Sequence, residues 1–283
     1  MFSLLVATIN RIEPLKELLE SLRRQSVGAD VFEVLIADQN PEGFLQALLD
    51  DYARYLHIQV VQVPNKGVSQ ARNALLAHAR GQFVAFPDDD CSYEPNTLDQ
   101  VQRIFDSHLH VHVIQGSWSA PGKACSATAS PNALRTWISV FYRGETYVQF
   151  FRKEAVERIG EFDPVIGPGT GLPYGCGEDT DYLLRALKVG LTVLYAPAVH
   201  VRHKEVDVDA ARRDTAKIRA YAIGRMYLLY KHKLPLWFQF SVIFYPLLRL
   251  FYEGVGAVPY RLVMFRARLK GFFLVRQHPV QKK

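Results

Sequence analysis

Short apolar runs alternate with amphipathic segments through the first half of the chain. Ser3 to Ala7 is apolar and closes on Thr8, Asn10 and Arg11. Leu15, Leu18, Leu19 and Leu22 then recur at helical spacing behind Pro14, which suits a first helical turn. The same alternation repeats. Phe32 to Ala37 is a strand ending in Asp38, Leu45 to Tyr52 a helix, Ile58 to Val63 a strand and Val68 to Ala79 a helix. Phe83 to Phe86 is a fourth strand that runs directly into Asp88, Asp89 and Asp90. Strands alternating with helices predict an α/β fold with a mostly parallel sheet covered on both faces.

Beyond Pro95 the pattern loosens. Val111 to Ser117 and Tyr147 to Arg152 read as strands with a polar, irregular stretch between them. A glycine-rich loop follows, with Gly167, Gly169, Gly171, Gly175 and Gly177. Glu178 to Val189 reads as a helix and Thr192 to Tyr195 as a last short strand. From about Val208 onward the chain reads as helices broken at Pro235 and Pro259. The expected division is a domain over 1–207 and a helical C-terminal region over 208–283.

Composition fits that picture: 283 residues, 49% hydrophobic and 22% charged, describe a chain able to bury a core. Cys91, Cys125 and Cys176 are scattered, with no C-x-x-C pair, which excludes a disulfide framework and points to a reducing, cytoplasmic compartment. The apolar stretch Leu4 to Ala7 is too short for the core of a signal peptide.

Charge changes the picture of the tail. The net charge of +6 divides unevenly, because residues 211–283 hold 15 Lys and Arg against Asp214 and Glu253 alone. Leu234 to Leu248 carries no charge and gathers Trp237, Phe238, Phe240, Phe244 and Tyr245. At about fifteen residues the run falls short of the roughly twenty needed to span a bilayer. Aromatic residues beside Arg249, Arg261, Arg266, Arg268 and Lys270 describe a segment lying on an anionic membrane surface, here the inner face of the cell membrane. The alternative is that these aromatics pack on the domain or across an oligomer. No nucleic-acid module accompanies the basic charge, so nucleic acid is not an expected partner.

In a parallel sheet, ligands sit beyond the carboxyl ends of the strands. Thr8/Asn10/Arg11, Asp38 and Asp88/Asp89/Asp90 all fall there. No G-x-G-x-x-G follows the first strand and no G-x-x-x-x-G-K-[ST] occurs, which argues against dinucleotide dehydrogenases and P-loop enzymes. Three adjacent carboxylates repel one another and call for a cation or full hydration. Hard oxygen ligands of this kind suit Mg²⁺ or Mn²⁺. The plainer reading is an exposed turn whose acids cap a helix near Pro95. Gly177-Glu178-Asp179-Thr180-Asp181 opens a helix, where acids favour the dipole; after a glycine-rich lid, one of them is also a natural general base.

Taken in order, Val6-Ala7-Thr8-Ile9-Asn10-Arg11, Ile36-Ala37-Asp38, Asn65 to Asn73, Phe86-Pro87-Asp88-Asp89-Asp90, 177–181 and Pro197 followed by His203 resemble the family 2 inverting glycosyltransferases of the GT-A fold. The resemblance covers Phe2 to about His203. It implies a GT-A type nucleotide-binding domain that moves a sugar from a nucleoside-diphosphate sugar, a UDP-sugar in the favoured case, to a saccharide or lipid-linked acceptor hydroxyl. It implies that Thr8, Arg11 and Asp38 line the nucleotide pocket, with Asp38 accepting a hydrogen bond from the base. Asn10, Lys66, Asp89 and Glu178 join that pocket, and Arg72 steadies the diphosphate or the metal-binding acids. Asp88 meets the ribose or sugar, Asp90 with Asp88 and His203 holds Mn²⁺ or Mg²⁺, and Asp179 is the catalytic base. His200 lies three residues before His203 and competes with it for the ligand role. A sugar nucleotidyltransferase or a non-catalytic, membrane-associated scaffold of the same fold are the other readings.

Overall fold

The computed structural model describes residues 1–64, 66–123, 133–205 and 207–277; Asn65 of the expected motif and Cys125 lie outside the described residues. The elements run β1 (Phe2–Thr8), α1 (Ile12–Arg23), β2 (Phe32–Asp38), α2 (Gln46–Ala53), β3 (Ile58–Gln62), α3 (Val68–Leu76), β4 (Phe83–Ala85) and β5 (Cys91–Tyr93). They continue as α4 (Thr97–Ser107), β6 (Val113–Ser119), α5 (Trp137–Tyr142), β7 (Gln149–Arg152), α6 (Lys153–Ile159), α7 (Glu178–Lys188) and β8 (Val193–His203). Four helices follow among the described residues: α8 (Val208–Arg213), α9 (Thr215–Lys231), α10 (Leu236–Glu253) and α11 (Val258–Gln277).

The eight strands form one sheet in the order β3-β2-β1-β4-β7-β6-β8-β5. The β3-β2-β1-β4 half is parallel throughout, as the alternating pattern predicts. Strand β7 enters antiparallel between β4 and β6, and β5 lies antiparallel on β8. Alternate residues of the strands feed two cores. Phe2, Leu4 and Val6 of β1 pack with Leu15, Leu18 and Leu22 of α1 and Leu98, Val101 and Phe105 of α4. On the other face Leu5 meets Ala71 and Leu75 of α3 and Leu183 and Leu184 of α7. Each fully buried Leu or Phe contributes roughly 1.5–3 kcal/mol relative to leaving it in water.

The chain divides into two compact units, Met1–Phe162 with Tyr182–Glu205, and Asp163–Asp181 with Val206–Lys283. The boundary expected at 207/208 therefore differs over 163–181, the glycine-rich loop and the first turn of α7. That segment is tied to α9 within the second unit. The Gly175 amide donates to the Ala220 carbonyl, and a Cβ at Gly224 would fall 2.7 Å from the Cys176 carbonyl oxygen. Asp181, fully buried, takes Lys231 at 2.7 Å and His232 at 2.8 Å, and Lys231 also reaches Asp163 at 2.7 Å. Buried carboxylates persist only when paired in this way.

Pro235 caps α10 and Pro259 sits in the first turn of α11, so the two expected breaks fall at helix starts. Pro246 lies inside α10 and removes the N–H that would reach the Val242 carbonyl. Arg268 of α11 donates to that carbonyl instead. Phe238, Val242 and Ile243 line the buried side of α10, while Trp237 (62% exposed), Phe240, Phe244, Leu248, Phe251 (84%) and Tyr252 (86%) face outward. No helix among the described residues is long and apolar enough to cross a membrane.

Candidate active site

Strand β4 ends at Ala85, and Phe86 and Pro87 carry the buried chain onward to the acidic triplet. Asp88 bridges to Ala7 of β1, and the chain turns there, with the Cys91 amide donating to the Asp88 carbonyl. The acids do not cap the following helix, whose N-cap is Asn96. Instead two arginines serve the three carboxylates. Arg11 Nη1 reaches Asp89 at 2.9 Å and Asp90 at 2.7 Å, and the buried Arg72 reaches Asp88 at 3.0 Å. Arg72 is itself positioned by Thr146 Oγ1 at 2.7 Å and by the Phe162 ring beneath its guanidinium.

His203 arrives by strand pairing. As the last residue of β8 it stands opposite Cys91 of β5, next in the chain to Asp90. Its Nε2 lies 3.2 Å from Asp90 Oδ1 and 3.9 Å from Asp88 Oδ2. Its Nδ1 is 2.8 Å from the Lys204 carbonyl, which can only accept, so Nδ1 carries a proton and Nε2 turns to the acids. Tyr147 stacks on the imidazole at 4.3 Å between ring centres, and Trp118 meets it edge-on at 6.1 Å. His200 is elsewhere engaged, with Ser117 Oγ at 2.8 Å from Nδ1 and Ser119 Oγ at 3.0 Å from Nε2. Of the two histidines, His203 is the one that stands beside the acids.

Burial opposes charge on His203, but the bond to Asp90 and the charges of Asp90 and Asp88 outweigh it and raise its pKa. The hydrogen bond from His203 prevails over burial and, with the charges of His203 and Arg11, holds Asp90 below the usual carboxylate range. Burial pushes Asp89 upward despite Thr8 and Arg11. Asp88, Asp90 and His203 each offer one donor atom, and these atoms lie within 4.8 Å of one another. Two carboxylates and an imidazole suit Mn²⁺ or Mg²⁺.

Beside the triplet a cleft of about 510 Å³ is lined by Asn10, Gln39, Asn40, Gln62 and Lys66 among others. Asn10 holds φ of 56°, a left-handed conformation that asparagine tolerates, and its amide donates to Asn40 Oδ1. Asp38 is only 2% exposed and is not in the cleft wall. Its carboxylate accepts from the amide and side chain of Asn40, at 2.9 and 2.6 Å, and from Gln62 at 3.0 Å. Asp38 thus orients two residues that do line the cleft. Thr8 is likewise buried, its hydroxyl donated to Asp89 at 2.7 Å. Lys66 is exposed at the cleft.

Thr8, Arg11, Arg72, Asp88, Asp89, Asp90 and His203 converge in the first unit, with Asn10, Asp38 and Lys66 around the adjoining cleft. Glu178 and Asp179 belong to the second unit, in the first turn of α7; Glu178 is buried and Asp179 half-buried. Sequence reading misses Tyr147, Trp118, Thr146, Asn40 and Gln62. Asn40 follows Asp38 by two residues and was within reach of the strand-end argument, whereas Tyr147 and Trp118 become neighbours of His203 only through the pairing of β6, β7 and β8.

The profile of the family described as Glycosyl transferase family 2 matches residues 3–156. Poly(ribitol-phosphate) beta-N-acetylglucosaminyltransferase TarS of Staphylococcus aureus is 31% identical over 109 residues, covering 38% of this chain and 19% of TarS. The chain thus matches about a fifth of that relative's length. Residues 1–349 of TarS in complex with UDP-GlcNAc superpose with a TM-score of 0.63 at 18% identity, over 98% of this chain and 91% of that one. The mannosyltransferase PcManGT of Pyrobaculum calidifontis, in complex with GDP-Man and Mn²⁺, gives 0.62 at 15% identity, over 99% and 88%. At such identities the likeness is one of fold, and the fold is GT-A-like.

Proposed function

Because the chain belongs to glycosyl transferase family 2, we propose that it moves a sugar from a nucleoside-diphosphate sugar to an acceptor hydroxyl, with inversion and with Mn²⁺ or Mg²⁺ bound. The observation that carries the reading is the convergence of Asp88, Asp90 and His203 at the end of β4, beside the cleft of Asn10, Asn40, Gln62 and Lys66. A divalent cation held by those three residues would neutralise charge on a departing diphosphate. Arg11 and Arg72 fix the carboxylates that hold it, and His203 is kept in the tautomer that presents Nε2. Asp38 orders Asn40 and Gln62 toward the nucleotide base.

Asp179 is the base that takes the acceptor proton, an assignment that rests on its place in the 177–181 motif. The favoured donor is a UDP-sugar, in keeping with the UDP-GlcNAc bound by TarS. The acceptor is a saccharide or lipid-linked saccharide in surface polymer or glycolipid assembly. The second unit rests on the anionic, cytoplasmic face of the cell membrane through the exposed apolar side of α10 and the basic excess of 211–283.

The test is nucleoside diphosphate release from a panel of UDP-, GDP- and dTDP-sugars, with Mn²⁺, with Mg²⁺ and with chelator. Release from at least one donor only when metal is present supports the reading. Release of pyrophosphate from a nucleoside triphosphate and a sugar phosphate would replace it with nucleotidyl transfer, and no turnover of any donor would sink it.

A further inference from the structure

A second cavity, of about 210 Å³, opens in the first unit between β6, β8 and the segment leading into α5. Trp118 lines it, and its ring stands 6.1 Å from that of His203; Val148, also in its wall, follows Tyr147, which stacks on the same imidazole. The cavity therefore adjoins the Asp88/Asp90/His203 cluster.

Its wall holds unmet hydrogen-bonding groups of both kinds. Gln115 is 1% exposed; its Nε2 donates to the Arg143 carbonyl and its Oε1 has no partner. Arg135 lies over the Tyr195 ring at 4.1 Å, is fixed by its amide to the Val193 carbonyl at 2.8 Å, and has a buried Nε without an acceptor. Arg143, exposed at the rim, has no carboxylate partner among the described residues. Of the two carboxylates in the wall, Glu205 is taken by Lys123 at 2.7 Å. An unpaired acceptor asks for a hydroxyl, and an unpaired guanidinium N–H asks for an anion. Trp118 supplies an apolar face for a sugar ring.

We propose that this cavity is the acceptor subsite and that it takes a polyhydroxylated anion, a hydroxyl meeting Gln115 and a phosphate or carboxylate meeting Arg135 and Arg143. The proposal rests on the glycosyltransferase reading for the word acceptor, and on the cavity alone for the ligand chemistry. Saturation-transfer NMR on the full chain, with no donor or metal present, compares glycerol phosphate, glucuronate and glycerol. Both anions should bind at least about tenfold more tightly than glycerol, as charge-assisted bonds to two guanidiniums require. Preference for glycerol phosphate alone identifies a phosphate-bearing acceptor, and for glucuronate alone a uronate.

Arg143→Ala, at an exposed position, should cost most of that preference while Arg54→Ala, a charge control on the end of α2, costs none. Binding no tighter than glycerol, equal loss in both variants, or unchanged binding in folded Arg143→Ala would each overturn the subsite. A chain that releases nucleoside diphosphate but binds neither anion loses the subsite alone. One that releases none loses the glycosyltransferase reading instead.

Discussion

His203 Nε2 stands 3.2 Å from Asp90 Oδ1, although the two residues are more than a hundred positions apart in sequence. The pairing of β5 with β8 produces that contact, and the Lys204 carbonyl selects the tautomer that makes it useful. A neutral imidazole so oriented can bind a metal; a protonated one can only pair with the acid. The contact can therefore serve the protein with or without the cation.

Asp90→Ala should abolish metal-dependent nucleoside diphosphate binding, and His203→Ala should weaken it by roughly 10- to 100-fold, as loss of a ligand or its orienting partner does. Calorimetry with UDP, with and without Mn²⁺, measures both. Unchanged affinity in a folded Asp90→Ala protein would remove Asp90 from the metal site.

Asp179→Asn should leave UDP binding nearly intact and cut turnover on the order of 10²-fold or more, because a base acts in the transition state. The Asp181→Asn variant should behave differently. Asp181 is buried against Lys231 and His232, so the substitution removes the carboxylate both share, with Asp163 left to Lys231 alone. It should destabilise the second unit by about 3–5 kcal/mol, the range for breaking one side of a buried pair. Denaturant unfolding of both variants separates the roles; near-normal turnover in Asp179→Asn moves the base elsewhere.

Much of the fold was legible because its signals are local. The runs that become β1 to β4 and the leucine spacing of α1 are periodic; β1 and β2 end on Thr8 and Asp38, and β4 ends three residues before Asp88. What escaped depends on pairing. The strand expected to stop at Tyr195 continues past Pro197 to His203, because β6 and then β5 supply partners along its length. Leu98, Val101 and Phe105 of α4 carried a readable helical spacing that a polar-looking stretch obscured. Asp38 and Thr8 were correctly placed at strand ends, but their side chains are bonded to Asn40, Gln62 and Asp89, and no spacing in the sequence states that.

Arg268→Leu should destabilise the helical unit by about 1.5–3 kcal/mol, the range for a hydrogen bond from a charged group. Pro246 leaves the Val242 carbonyl without its helical donor, and Arg268 supplies one. The companion change Pro246→Ala restores the N–H, so in that background the cost of Arg268→Leu should fall. Urea unfolding of the four proteins reads the coupling directly, and strictly additive losses would mean that the guanidinium does not serve that carbonyl.

The membrane reading turns on which side of α10 is apolar. Trp237, Phe240 and Phe244 are on its exposed side, opposite the buried Phe238, Val242 and Ile243. Replacing the three aromatics with alanine should weaken flotation with anionic vesicles and, because Phe240 and Phe244 also meet Phe272 and Phe265 of α11, lower the thermal midpoint only modestly. Each such ring inserted into the interface contributes on the order of 1.5–3 kcal/mol if fully buried, so three together outweigh the basic tail. The basic contribution is Coulombic and screened over about 8 Å at physiological salt, so raising the salt should release only part of the protein. Neutral vesicles should retain less than anionic ones, because insertion and attraction act together. A second copy of the chain covering the same face would give another pattern: no flotation at low salt, and a dimer in sedimentation that the triple substitution dissolves. Flotation that survives the triple substitution would mean that charge alone holds the protein at the surface, and α10 would lose its role.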